Sequence, residues 1–296
     1  MRRIIRAAVA ALVFAAVFTG CNVKVNIESK DQSASDTCPE RVIALSKSNA
    51  ALWLLAGGEL IATSDDAMDL DGIGDAVSLG DMDHVSLEAV AALEPDMLIV
   101  FSEDPAQKAL GESAVGLGLN VKFINIDSFD DYDQMMEYFT SLTGRSDLYT
   151  EYVSDVRTGI DAVTERVPED AEPKTYLLVH ASATKCKAEK NTYFACEIFN
   201  DLGLKNIADD DSDLNELSLE SIVSTDPDYI FVVPRGNEDK ALKSFDELFG
   251  SKSAWSDLSA VKSGQYYILS KDLFGLKPND RWADSYEEAF EILYGK

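Results

Sequence analysis

The two histidines of the chain are the side chains best suited to contact a metal atom. His84 follows a Gly-Asp-Met-Asp run, and His180 follows an apolar segment. An imidazole can bind iron or another transition metal, although a single histidine is more often hydrogen-bonded or solvated. The sequence has no CxxC or HExxH spacing, so a zinc site held by the protein itself is not expected. We therefore predict no resident metal and no cofactor, and both histidines stay as candidates for contacting the metal of a bound compound.

The other candidate binding residues are cationic, aromatic, amide or thioether side chains at the ends of predicted strands and in nearby loops. Guanidinium and ammonium groups can pair with carboxylates of an anionic compound, and aromatic rings can stack on a flat one. For each cation the alternative is an ordinary surface ion pair, and for each ring it is a place in the core. These candidates are Lys47, Asn49, Met82, Tyr193, Arg235, Phe274, Lys277, Arg281 and Trp282.

The sequence lacks the common signatures of catalysis. It contains no GxSxG elbow, no phosphate-binding loop and no metalloprotease helix. A Ser-His-Asp triad would have to use one of the two histidines, and neither has a recognisable partner in the sequence. We therefore predict a binding protein and not an enzyme, with a secreted hydrolase as the unsupported alternative.

The charge balance excludes one class of partner. The chain has 53 acidic and 26 basic residues, which give a formal net charge of −27. Such a surface repels phosphates and offers no basic stripe, so nucleic-acid binding is excluded. We interpret the acidic surface as a solubility feature, and a cationic partner is the alternative.

The first residues have the pattern of an export signal. Arginines precede an apolar stretch at 7–18, which is too short to span a membrane comfortably. Residues 18–21 read FTGC and resemble the lipobox of bacterial lipoproteins, which predicts lipidation of Cys21. The alternative is plain signal cleavage with Cys21 as an ordinary thiol. We predict a lipoprotein signal peptide at 1–20, a polar tether at 21–37 and an extracytoplasmic chain anchored in the bacterial cell membrane.

A helix-turn-strand unit occurs twice and organises the rest of the chain. Residues 86–101 read SLEAVAALEPDMLIVF and residues 218–233 read SLESIVSTDPDYIFVV. In each copy a serine caps a helix, proline ends it and an apolar run follows, as in a strand buried on both faces. One long-range repeat indicates two similar lobes, and alternating strands and helices indicate a mainly parallel α/β sheet in each.

We place the N-terminal lobe at 38–146 and the C-terminal lobe at 169–296. The apolar stripe of residues 147–167 predicts one long, rigid connecting helix, assigned to 147–168, and hence only a small hinge motion. Ligands of such sheets meet the loops at the carboxyl ends of the strands, so we expect the binding residues there. Cys186 and Cys196 flank a short loop that a disulfide could close, and Cys38 has no assigned role.

Several segments resemble the helical-backbone substrate-binding proteins of ABC importers for iron-siderophores, haem and cobalamin. The resemblance covers the chain from Arg41 onward and rests on the two Ser-Leu-Glu…Pro-Asp units, GLKNIA at 203–208 and WSDLSAVKSG at 255–264. It implies an interlobe ligand that is an iron chelate or a corrinoid. If that ligand is haem, His84 and His180 are the side chains that could bind its iron. The first ligand-facing loop departs from the family pattern, with Lys47 and Asn49-Ala50 in place of Pro and Thr-Glu.

The same resemblance assigns a role to one glutamate in each lobe. Family members dock on a membrane permease through glutamates of the repeated motif, which correspond to Glu88 and Glu220. An exposed carboxylate at a helix start can accept a bidentate arginine across an interface. From residue type alone, a glutamate that merely favours its own helix start is the simpler interpretation. A surface receptor or scaffold that kept the fold without import is the remaining functional alternative.

Overall fold

The structure is a computed structural model that describes residues 38–170, 172–209, 214 and 217–295. The predicted signal peptide, the lipidation site Cys21 and the tether lie outside these residues. Within the described residues, no helix combines the length and apolar character that crossing a membrane would need.

The N-terminal lobe is built on a five-stranded parallel sheet with the order β3-β2-β1-β4-β5. Its central strands β1 and β4 are almost entirely apolar and are buried on both faces, as their sequences predict. The strands are β1 (Val42–Ala44), β2 (Ala62–Thr63), β3 (Val77–Ser78), β4 (Met97–Phe101) and β5 (Val121–Ile124).

Helices follow the strands of this lobe, and their starts are set by capping side chains. Asp104 accepts from the backbone N–H of Gln107, and proline occupies the first turn of the helix that follows. Residues 46–49, predicted as a loop, instead form a helix start, because the Ser46 hydroxyl accepts from the N–H of Asn49. The helices are α1 (Lys47–Leu55), α2 (Leu87–Ala92), α3 (Pro105–Gly116) and α4 (Phe129–Thr143).

The connecting helix is continuous but not uniform. It runs as α5 (Ser146–Tyr149), a π-helical turn over Thr150–Ser154, and α6 (Asp155–Thr164). The helix therefore ends at Thr164, before the end of the predicted apolar stripe at Val167. Gly159 of α6 lies against the last helix of the chain, and a Cβ there would come within 2.9 Å of the Ala283 Cβ. The glycine therefore permits a close helix–helix contact.

The C-terminal lobe has a sheet with the order β10-β9-β6-β7, and β8 pairs with β6. All pairs are parallel except β6 with β7, which form an antiparallel hairpin. The sequence analysis did not identify this hairpin. The strands are β6 (Lys174–Ala181), β7 (Cys186–Ala188), β8 (Leu204–Asn206), β9 (Tyr229–Pro234) and β10 (Tyr266–Ile268).

The described residues of this lobe form six α-helices, and the longest of them is the last. One of them begins at Glu238, and a π-helical turn at Asp246–Gly250 extends its C-terminal end. The helices are α7 (Phe194–Asp201), α8 (Leu219–Thr225), α9 (Glu238–Phe245), α10 (Ser259–Lys262), α11 (Lys271–Phe274) and α12 (Trp282–Tyr294).

One apolar core joins the two lobes. Val42 and Ile99 from the first sheet belong to the same buried cluster as Leu178 and Phe231 from the second. Helices α4, α6, α7 and α12 fill the space between these inner faces. Alternate residues of the same strands pack outward into two separate clusters. The two-lobed α/β prediction is confirmed, and the lobes are parts of one packed unit.

The structure differs from the disulfide hypothesis, because Cys186 and Cys196 are both free thiols. Cys196 is fully buried in the shared core, where its Sγ accepts from the Asn206 Nδ2 at 3.4 Å. Cys186 packs against the cluster on the opposite face of the sheet. The sheet between them explains why the two sulfurs do not pair. Cys38 is also free and is exposed.

Candidate binding cleft

The N-terminal side of the cleft begins with a hydrogen-bonded network at the ends of β1 and β2. The backbone N–H of Ser46 donates to the Ser64 Oγ at 2.9 Å, and that of Lys47 donates to the Asp66 Oδ2 at 3.0 Å. Ser64 also donates to the Asp66 Oδ1 at 2.5 Å. Ser46 has a φ of 88°, which is unfavourable for a residue with a Cβ. The network therefore holds the start of α1 in a fixed position.

Lys47 and Asn49 lie in the first turn of α1 and are both engaged. The Lys47 Nζ lies 2.7 Å from the Asp69 Oδ1, and this hydrogen bond lowers the pKa of the Asp69 carboxyl. Asn49 is 5% exposed, and its Nδ2 donates to the Leu45 carbonyl at 3.4 Å. Lys47 is thus a paired cation and Asn49 a buried structural residue in this conformation.

His84 lies on the surface of the N-terminal lobe. Its side chain is 83% exposed, and its Nδ1 lies 3.2 Å from the Asp81 Oδ1. Hydrogen bonds from the Asp83 backbone and from His84 lower the pKa of Asp81. Met82 in the same loop is half-buried.

His180 occupies a different environment, near the end of β6 in the C-terminal lobe. Its side chain is 11% exposed, and its Nδ1 lies 3.3 Å from the Glu189 Oε1. The Lys187 Nζ contacts the other oxygen of Glu189 at 3.0 Å. Although burial opposes it, hydrogen bonds from His180 and Lys187 keep the pKa of Glu189 below its ordinary value. The His180 Nε2 is buried and has no hydrogen-bond partner among the described residues.

The contact with Glu189 holds the imidazole of His180 in one orientation. A carboxylate that accepts from Nδ1–H fixes the tautomer and leaves the Nε2 lone pair free to bind an electrophile. The Tyr193 ring packs 5.2 Å from the His180 ring, and its hydroxyl donates to the Phe274 carbonyl at 2.6 Å. Burial raises the pKa of the Tyr193 hydroxyl, so it remains protonated and keeps this hydrogen bond. His180 and Tyr193 therefore form a preorganised pair.

The remaining aromatic candidates are core residues in this conformation. Phe274 and Trp282 are both 0% exposed. The Trp282 ring meets Phe129 and Phe194 edge-on, at centroid distances of 5.8 and 5.7 Å. Neither Phe274 nor Trp282 presents a face on which a flat ligand could stack. The physical reason is that the inner sides of both lobes need bulky side chains to complete the shared core.

The remaining cationic candidates differ in their surroundings. The Lys277 Nζ crosses between the lobes to the Asp127 Oδ1 at 3.1 Å and lies 5.0 Å from the Phe194 ring centroid. Burial lowers the pKa of Lys277, while Asp127 opposes that effect. Arg281 pairs with Asp284 at 3.1 Å on the surface. Arg235 is exposed at the end of β9, where its backbone N–H donates to the Ala181 carbonyl at 2.7 Å.

Three residues of this cleft were missed by the sequence analysis. Asp127 supplies the carboxylate that pairs with Lys277, and Glu189 supplies the one that orients His180. Asn125, at the end of β5, has a buried Oδ1 without a hydrogen-bond partner among the described residues. The position of Asp127 and Asn125 just after a strand was the signal that could have identified them, whereas Glu189 lies beyond a hairpin that the sequence did not reveal.

Glu88 and Glu220 are both exposed in the first turns of the repeated helices α2 and α8. Ser86 donates to the Glu88 Oε2 at 2.8 Å, and this hydrogen bond lowers the pKa of Glu88. In the second copy, the Ser218 hydroxyl contacts the Ser221 Oγ at 3.1 Å. Both carboxyl groups therefore lie on the accessible surface.

A cavity of about 310 Å³ lies beside the connecting helix, between α4, α6, α7 and α12. The Glu197 Oε2 accepts there from the backbone N–H of Phe129 across the lobe boundary, at 2.9 Å. Burial, together with the carboxylates of Asp201 and Asp130, raises the pKa of Glu197 to about 7.

Comparison with known proteins identifies the family to which the chain is similar. Residues 42–273 match the family described as periplasmic binding protein. The chain is 25% identical over 229 residues to the Fe(3+)-citrate-binding protein YfmC of Bacillus subtilis, covering 75% of this chain and 69% of that protein.

Solved structures show the same fold at lower identity. The Staphylococcus aureus IsdE complex with heme gives a TM-score of 0.74 at 16% identity, covering 86% of this chain and 98% of that one. The vitamin B12 binding protein BtuF of Vibrio cholerae gives 0.71 at 18% identity, covering 87% and 97%. The two-lobed architecture and the match over most of its length show that this chain belongs to the periplasmic binding protein family, whose members are transport components and not enzymes.

Proposed function

We propose that this chain is the lipid-anchored substrate-binding component of an ABC importer. It captures an iron chelate, either a siderophore or haem, and delivers it to a membrane permease. The observation that carries the proposal is the family match over residues 42–273, with relatives whose names specify ferric citrate, haem and vitamin B12.

The cleft provides side chains suited to such a ligand. His180 presents a buried Nε2 oriented by Glu189, and Arg235 is exposed at the end of a neighbouring strand. A metal with an open coordination position would bind the imidazole, and a guanidinium at the rim would fix a ligand carboxylate. His84 is a second imidazole, on the other lobe, with a solvated ring. Because one packed core joins the two lobes, we expect the ligand to be captured with a small adjustment of the lobes and not with a wide closing motion.

Delivery requires contact with a permease, and Glu88 and Glu220 are the residues we assign to it. One carboxylate on each lobe lets a transmembrane partner with matching arginines contact both lobes at once. The predicted lipid on Cys21 would keep the loaded protein in the plane of the membrane, and the 21–37 tether would let it reach the permease.

Two measurements test binding and delivery separately. Purified protein is titrated with haemin, ferric citrate, cyanocobalamin and a ferric hydroxamate, with absorbance and tryptophan emission recorded together. Saturable binding of one compound at micromolar affinity or tighter supports the proposal, and no binding to any of them refutes it. Uptake of the compound that binds is then measured in cells carrying the double variant Glu88→Ala/Glu220→Ala. We expect unchanged binding and at least about tenfold lower uptake.

Glu112→Ala on α3 is the matched control, because Glu112 is also an exposed helical glutamate but lies outside the repeated motif. Normal uptake by the double variant would remove the docking assignment. Binding of a compound whose uptake does not depend on the wild-type protein would favour the alternative of a surface receptor or scaffold with the same fold. Selective binding of cyanocobalamin would instead identify a corrinoid importer component, since BtuF shares this fold.

A further inference from the structure

The start of α4, in the N-terminal lobe, contacts the C-terminal lobe at two neighbouring positions. The backbone N–H of Phe129 donates to the Glu197 Oε2 of α7 at 2.9 Å, and the Phe129 ring is buried in the shared core. Asp127, which precedes Phe129 in the same segment, pairs with Lys277 at 3.1 Å. The hydrogen bond between Glu197 and Phe129 therefore lies next along the chain to an ion pair of the candidate cleft.

The cavity beside the connecting helix gives Glu197 an acidic environment. Four helices contribute charged or titratable side chains close to its carboxyl group, and these are Asp130 and Asp131 of α4, Arg157 and Asp161 of α6, Asp201 of α7 and Tyr286 of α12. Among the described residues that line the cavity, Arg157 is the one cation, and it already pairs with Asp130 at 3.0 Å and with Asp133 at 2.8 Å. An ionised Glu197 therefore adds a negative charge where the carboxylates of both lobes already outnumber the cation.

The position of Glu197 links this contact to pH. Burial and the neighbouring carboxylates raise the pKa of Glu197 to about 7, whereas a carboxyl group released into water returns toward 4.5. Between these two pH values the closed contact keeps a proton that the open one loses, so the contact opens more easily as the pH rises from 4.5 to about 7. Above that pH Glu197 is ionised in both states, and the opening equilibrium no longer changes.

We propose that Glu197 is a proton-controlled latch between the two lobes. Its protonated side chain holds the start of α4 against α7. Loss of the proton sets like charges of the two lobes against each other, so this boundary opens more often. The latch goes beyond the proposed function, because it depends on no particular ligand. Its position beside the Asp127–Lys277 ion pair lets a change in pH act on the candidate cleft.

Residue-resolved hydrogen–deuterium exchange between pH 5 and pH 8 tests the latch in the purified protein without a ligand. The Phe129 amide must break its bond to Glu197 before it can exchange, whereas the amides of the central strand β4 report global unfolding. After correction for the intrinsic exchange rate, the protection of the Phe129 amide should fall by about tenfold from pH 5 to pH 7 and then level off. At every pH this amide should exchange faster than those of β4.

Three variants identify the group that controls the opening. In Glu197→Gln, which can still accept from Phe129, protection of the Phe129 amide should change by less than about twofold between pH 5 and pH 7. Asp201→Asn removes a carboxylate that repels Glu197 and retains an acceptor for the Tyr286 hydroxyl, so the fall in protection should end at a lower pH. Glu165→Gln, exposed at the end of the connecting helix, is the control and should behave as the wild type.

The outcomes decide the latch separately from the proposed function. A fall in Phe129 protection that Glu197→Gln abolishes and Glu165→Gln retains supports it. Equal exchange of the Phe129 and β4 amides at every pH would overturn it, because the contact would then open only when the whole protein unfolds. Wild-type pH dependence in Glu197→Gln would also overturn it, since another group would then control the boundary. None of these results depends on whether a chelate binds, which the ligand titration decides.

Discussion

Glu197 offers a sharp test of the packing between the lobes. It belongs to α7 of the C-terminal lobe and accepts from the Phe129 N–H at the start of α4, 2.9 Å away. Substitution by glutamine removes the ionisable group and retains an oxygen that can accept this hydrogen bond. We expect Glu197→Gln to be more stable than the wild type at pH 8 and equally stable at pH 4.5.

The magnitude follows from the pKa. Burial raises the pKa of Glu197 from 4.5 to about 7, with added repulsion from the carboxylates of Asp201, Asp130 and Asp131. Asp161 and Arg157 of α6 and Tyr286 of α12 also line this cavity. A shift of that size corresponds to about 3 kcal/mol, since one pKa unit is about 1.4 kcal/mol. Because the carboxyl is only partly buried, solvent screening reduces our expectation to about 1–2 kcal/mol.

The sign follows from proton linkage. Glu197 has a lower pKa in the unfolded chain than in the folded protein. At pH values between these two, the folded protein keeps a proton on Glu197 that the unfolded chain has lost. The contribution of Glu197 to stability therefore falls as pH rises from 4.5 to about 7 and is constant above that. In Glu197→Gln this contribution to the pH dependence is absent.

Urea unfolding at intervals between pH 4.5 and 8 measures the difference between the two proteins. Glu165→Gln, an exposed position at the end of the connecting helix, serves as control and should follow the wild-type curve. If the stability of Glu197→Gln ran parallel to that of the wild type over this range, Glu197 would not be the strained buried carboxyl that we describe.

Three further predictions concern stability and use the same unfolding assay. Glu189→Gln should lower the free energy of unfolding by about 1–2 kcal/mol at neutral pH, because His180 and Lys187 hold the pKa of Glu189 low. The difference from the wild type should shrink as pH falls below 4.5, and a difference that stayed constant would contradict this. A double-mutant cycle with Lys277→Met and Asp127→Asn should give a coupling free energy of about 1 kcal/mol that weakens little with added salt. A coupling of zero would mean that this ion pair does not stabilise the contact between the lobes. Gly159→Ala should lower the free energy of unfolding by about 1–2 kcal/mol, because the added methyl group would push α6 away from α12. Gly116→Ala is the control: open space surrounds Gly116, so this variant should be as stable as the wild type or more stable.

The repeated units made the fold predictable from the sequence. Each copy contains its own capping serine, its proline stop and a strand apolar enough to be central, so local signals agree with the global architecture. The hairpin at β6–β7 was missed because its strand Cys186–Ala188 is only three residues long and is not strongly apolar. The helix start at Lys47 was missed because Ser46 caps it from an unusual backbone conformation.

The cleft was less predictable than the fold. Residue type suggested that Lys47 and Lys277 were available to an anion, but their pairing with Asp69 and Asp127 depends on tertiary proximity. The same limit applies to the aromatic candidates, because an aromatic side chain serves equally well as core or as ligand platform. Trp282 proved to be core for a reason that only the packing of two lobes against each other reveals.

The position of Trp282 at the start of the last helix also constrains how the chain matures. The inner sides of both sheets form one cluster, and the helix that completes it comes at the very end of the sequence. A chain emerging from its amino end therefore carries an uncovered apolar surface on the first lobe until almost the whole protein has been synthesised. Such a protein acquires its native topology late and depends on protection from aggregation until then. Premature termination anywhere before α12 would yield a fragment with no stable native form, not a functional half.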